Sequence, residues 1–79
     1  MKLIWCLFSI DNDYNQPENN LVVWWETKPS FEILMAAMSV SLSGPTEGLV
    51  AVANVLQGKN ERWHDTDYRL EHVPVGKVQ

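Results

Sequence analysis

Thr46-Glu47-Gly48-Leu49-Val50-Ala51-Val52-Ala53-Asn54-Val55-Leu56-Gln57 is the stretch on which the architecture turns. Leu49, Val52, Ala53 and Leu56 recur at helical spacing, whereas the unbroken apolar run from Leu49 also suits a buried strand. Three valines, stiff at Cβ, and Gly48 in what would be the first helical turn weigh toward strand. The element order is then ββαββ, with ββααβ as the alternative in which this segment is helical. Either order gives an α+β domain: a small antiparallel sheet with helix packed on one face.

Upstream, Ser43-Gly44-Pro45 breaks a preceding helix that starts at Ser30 and runs to about Ser41. Ser30 is placed to cap its amides, Glu32 suits the positive end of its dipole, and Phe31, Leu34, Met35 and Met38 form its apolar stripe. Before it lie two strands, Lys2 to Ile10 and Leu21 to Glu26, rich in aromatic and β-branched residues. The link between them, Asp11 to Asn20, is built of turn formers and is long for a hairpin. Downstream, Gly58 to Thr66 reads as a connection to a last strand, Asp67 to Val73. Its alternation sets Tyr68, Leu70 and His72 against Arg69, Glu71 and Val73. Pro74 and Gly76 end it.

The 79 residues fit one domain, 1–79, with a single core. At 46% hydrophobic, with four Trp, two Phe and two Tyr, the chain is too apolar for a disordered tail. Ten acidic against six scattered basic residues give a net charge of −4, which argues against nucleic acid as a partner. No stretch approaches the ~20 apolar residues that span a bilayer. The apolar opening is short, lacks a small-residue cleavage site and meets Asp11 and Asp13 at once, so it reads as a first strand rather than a signal peptide. The single cysteine, Cys6, allows no internal disulfide and suits a cytoplasmic setting.

The first two strands are unusual in being apolar on both sides. Leu3, Trp5 and Leu7 alternate with Ile4, Cys6, Phe8 and Ile10. Leu21, Val23 and Trp25 alternate with Val22 and Trp24. One helix covers one side of a sheet, and an antiparallel sheet wetted on its other side should be polar there. The surplus apolar face predicts a protein-binding surface, because tryptophan and tyrosine are enriched where binding energy concentrates. The candidate binding residues are Trp5, Trp24 and Trp25 as anchors, with Asp11, Asp13 and Tyr14 of the long link as an adaptable rim. A homodimer joined through the same face is the alternative.

Chemical motifs are sparse. His64-Asp65 with Asp67 offers imidazole and carboxylate to a divalent metal, the basis of a second alternative, a small metal-dependent hydrolase, but a turn rich in Asp and Thr accounts for the same residues. Asp11-x-Asp13-x-Asn15 starts like a calcium loop and fails where Gln16 replaces glycine and Val22 replaces the closing glutamate. Cys6 has no neighbouring base, and His72 shares an apolar face. The reading is therefore a non-enzymatic protein with no catalytic residues, no metal site and no cofactor.

A short acidic chain that opens on a strand after Met1-Lys2, continues with a tryptophan strand and a Lys28-Pro29-Ser30 helix start, and closes on a charged strand resembles the accessory proteins of phages and prophages. Anti-CRISPR and other anti-defence inhibitors are among them. The resemblance spans the chain as architecture and carries over no individual residue. It implies a stoichiometric inhibitor or modulator that occupies a surface of a host protein complex in the bacterial cytoplasm.

Overall fold

The computed structural model describes residues 2–11 and 18–77 and forms an α+β domain. Its elements are β1 (Leu3–Asp11), β2 (Glu18–Trp25), α1 (Phe31–Ala37), α2 (Thr46–Leu56), β3 (Glu61–Trp63) and β4 (Thr66–Pro74), closed by a 3-10 turn at Val75–Lys77. The four strands make one antiparallel sheet in the order β2-β1-β4-β3. β1, apolar on both sides, takes an interior position, where both of its edges are hydrogen-bonded. The molecule measures 39 × 34 × 16 Å, a thickness that holds the sheet and one helical layer.

The observed order is ββααββ, and the Thr46 segment is a helix rather than a strand. Two physical terms overrule the strand reading. Val52 and Val55 are fully buried in the core, each worth about 1.5–3 kcal/mol, which exceeds the few tenths of a kcal/mol that valine loses in a helix. Gly48, taken as a helix breaker, is a contact glycine. A Cβ there would stand 2.8 Å from Cη2 of Trp63 and 3.0 Å from Cγ1 of Val40. The second correction concerns the Gly58 to Thr66 connection, which contains β3, a short strand that forms a hairpin with β4. His64 and Asp65 make its two-residue turn, both in the left-handed region at φ 50° and 61°, the geometry that a type I′ turn requires.

α1 starts where the sequence places it: Ile33 N–H donates to Oγ of Ser30 at 3.3 Å, and Glu32 lies in the first turn. It ends at Ala37, a turn short of the expected Ser41. The stop is a Schellman motif, with Ser39 N–H bonded to Ala36 O at 3.1 Å and Val40 N–H to Met35 O at 2.9 Å. Ser39 takes the left-handed residue of that motif at φ 59°. Val40, the residue after it, is thereby turned into the core.

That core is one-sided. Leu7 and Leu70 from the sheet meet Leu34, Met38, Val40, Ala51, Val52 and Val55 from the helical layer, and Trp5, Val23, Trp25, Trp63 and Tyr68 pack around them. Asn54 Nδ2 donates to Glu61 Oε1 at 2.6 Å and ties α2 to β3. Among the described residues no helix is long and apolar enough to cross a membrane.

Candidate functional site: the open face of the sheet

Among the described residues no helix packs over the second side of the sheet. Strand alternation and the observed register place Ile4, Cys6, Phe8 and Ile10 of β1 there, with Val73, Glu71, Arg69 and Asp67 of β4 opposite them in turn. On β2, Trp24 lies opposite Cys6 and Leu21 opposite Phe8. Between these two pairs the register slips at Val22, an extra residue with no partner of its own. The bulge alters the sequence reading: Leu21, grouped by simple alternation with Val23 and Trp25, changes sides and joins Trp24.

Exposure divides this face in two. Along its centre Ile4 and Cys6 are buried, although neither belongs to the helix-packed core. Cys6 lies between Glu71 and Trp24 in the register, and Ile4 lies opposite Val73. Toward the β2 edge the cover stops: Leu21 is 38% exposed, Val22 45% and Trp24 50%. The charges are internally balanced. Lys2 pairs with Glu26 at 3.1 Å, Arg69 with Glu71 at 3.5 Å and Arg62 with Asp67 at 3.5 Å. Pairs open to solvent at one partner or both contribute little to stability, and on this face they leave the β2 rim as the apolar patch.

The three candidate tryptophans are separated by the sheet. Trp24 is on the open face. Trp5 and Trp25, opposite each other in register, pack on the helical side, half-buried against the core. Trp5 is held there on two sides. The His72 ring stacks on it at 4.3 Å with a 2° interplanar angle, and Lys28 Nζ sits 5.2 Å from its centroid. Asp11 closes β1 opposite Glu18, and Asp13 and Tyr14 lie outside the described residues. Leu21 and Val22 are the members of the patch that sequence reasoning did not single out.

Polar chemistry is dispersed. His64 makes an edge contact with Trp63 at 4.5 Å, Asp65 is fully exposed in the hairpin turn, and Asp67 faces Arg62 from the sheet. Among the described residues no three His, Cys, Asp or Glu side chains are grouped to hold a metal ion. A cleft of about 280 Å³ at the end of the sheet is lined by Ser9, Ile10, Asn20, Asp65 and Thr66, and one of about 400 Å³ lies between α2 and β3. Neither lining pairs a nucleophile with a histidine base. Burial, and after it the Glu71 carboxylate across the strand pair, push the Cys6 thiol up from its ordinary value, which keeps it protonated and unreactive.

No protein-family model, curated protein or solved structure matches the chain.

Proposed function

We propose that the protein is a non-enzymatic binding module whose contact surface is the β2 rim of the open sheet face, with Trp24 as its anchor. The supporting observation is the half-exposed indole of Trp24 flanked by Leu21 and Val22 on a side without helical cover. A large aromatic ring held on a rigid strand loses little freedom when a partner closes over it. The Lys2–Glu26 pair at one end of the patch and the Arg69–Glu71 pair across β1 set polar groups beside it, as at the rim of an interface. The resemblance to phage accessory proteins supplies the context: a stoichiometric inhibitor or modulator of a host protein complex in the bacterial cytoplasm.

The test is affinity capture from bacterial lysate with the wild-type chain, Trp24→Ala and Leu21→Ser in parallel. The expected outcome is a discrete captured species that both variants lose while their far-UV circular dichroism stays native. Equal capture by folded variants would refute the assignment of the surface. Metal addition provides the counter-test, since a thermal shift with a divalent cation would favour the hydrolase alternative built on His64, Asp65 and Asp67.

A further inference from the structure

The cleft of about 400 Å³ between α2 and β3 lies on the helical side, at the strand farthest from β2, so the β2 rim has no part in it. Its volume falls in the range of small-ligand pockets. Trp63 and Val50 give it apolar walls, and Val50 is 54% exposed. Glu47 from the first turn of α2 and Glu61 from β3 bring carboxylates to the same lining. Asn54 Nδ2 donates to Oε1 of Glu61 at 2.6 Å, which fixes that carboxylate while its second oxygen has no partner among the described residues. Glu47 likewise has no cation beside it among the described residues.

Two positive features also border the cleft, and both are outweighed. Arg62 is engaged elsewhere, with Asp67 at 3.5 Å and Asp65 at 4.0 Å, and its register position sets it on the opposite face from Glu61 and Trp63. The start of α2 carries about half a positive charge, less than the full negative charge of Glu47 in that turn. An indole wall and an excess of carboxylates remain.

We propose that this cleft takes an arginine side chain of a partner protein. A guanidinium is flat, stacks on an indole face and has several N–H donors for carboxylates held apart, which a compact ammonium matches less well. Its alkyl stem suits Val50. The exposed part of Val50 would stay wet beneath a free small cation, whereas the chain that carries an arginine also covers the helix surface around it. The net charge of −4 draws such a basic partner toward the molecule.

The probe is a capped tripeptide with arginine between two leucines, titrated against the full chain while the indole N–H signal of Trp63 is followed by NMR. Replacing the arginine by citrulline, its uncharged isostere, should weaken binding about tenfold. Glu47→Gln and Glu61→Gln should each weaken it about threefold, whereas Glu32→Gln on α1 should leave it unchanged. Both cleft variants keep the size of the side chain, and a glutamine at 61 still accepts from Asn54, so circular dichroism should stay native. Capped arginine alone should bind more weakly than the tripeptide, and Val50→Ser should erase that difference. A Trp63 signal that does not move, equal binding of the citrulline peptide, or an equal loss in Glu32→Gln overturns the site. Capped arginine that binds as tightly as the tripeptide overturns the partner protein as its occupant. None of these variants touches Trp24, so the binding surface on β2 stands or falls separately.

Discussion

Gly48→Ala sets two effects of known sign against each other. In the interior of a helix alanine is preferred over glycine by about 1 kcal/mol, so a helix judged by propensity alone should gain from the change. The new methyl, however, would stand 2.8 Å from Cη2 and 3.0 Å from Cζ2 of Trp63, and 3.0 Å from Cγ1 of Val40. Val40 is locked into the core by the Schellman turn and cannot retreat cheaply, and overpacking of this kind costs roughly 1–3 kcal/mol. The net expectation is destabilisation by about 1 kcal/mol. Urea unfolding followed by circular dichroism reads this as a midpoint lowered by about 1 M, given a slope near 1 kcal/mol/M for a domain of this size. The same substitution in a Trp63→Leu background removes the ring from the contact, and its cost should fall to near zero or reverse sign. That is a coupling of about 1–2 kcal/mol between the two positions. Should Gly48→Ala stabilise the wild-type chain by the full propensity difference, the seat of Trp63 on α2 is wrong, and with it the reason for a glycine in the first helical turn.

Three further outcomes follow from the backbone and from Cys6. Ser39→Gly should stabilise by about 0.5–1 kcal/mol, because φ 59° strains a serine and not a glycine; an unchanged melting temperature would count against the Schellman geometry. Replacing the hairpin pair His64-Asp65 by Asn-Gly should also stabilise, by about 1 kcal/mol in thermal unfolding, since both positions have positive φ; loss of stability would mean that these side chains support the fold. Cys6 should resist thiol reagents in the native state and react in Trp24→Ala, which strips its cross-strand neighbour. Because its native pKa is raised, its contribution to stability is fully present below the unfolded value of about 8.5 and is lost as pH rises through the native value. Cys6→Ala should flatten that alkaline decline in chemical denaturation, and an identical decline in the variant would refute the linkage.

The elements most legible in the sequence were those fixed by local rules. The first strand, the Ser30 cap with Glu32 behind it, and the alternation that sets Leu70 and Arg69 on opposite faces appear as expected, whereas the second strand starts three residues early, at Glu18, within the stretch read as a link. What escaped was fixed by tertiary contact. Valine disfavours a helix weakly, and the burial of Val52 and Val55 outweighs it only once a sheet is there to receive them. Gly48 has the same appearance in a sequence whether it weakens a helix or lets Trp63 approach one. The bulge at Val22 leaves no local trace, because Leu21-Val22-Val23 alternates equally well with or without it. Only the register against Phe8 reveals that Leu21 has crossed the sheet. Nor does residue type show that Trp5 and Trp25 lie on the helical side of the sheet, half-buried against the core, with the His72 ring stacked on Trp5.

The division of the open face also narrows what a surplus of apolar residues can mean. Were the whole face waiting for a partner, its central residues would be exposed with the rest. Instead Ile4 and Cys6 are shielded within the chain, so the folded monomer already gains the stability of burying them, and no partner is required for that part of the surface. On this face exposure is concentrated along β2, the outermost strand of the sheet on that side. β2, rather than the apolar face as a whole, is therefore the unit whose alteration should separate folding from the proposed binding: a polar residue at Leu21 or Val22 removes exposed apolar area while the helix-packed core of Leu7, Leu34, Val52 and Leu70 remains intact.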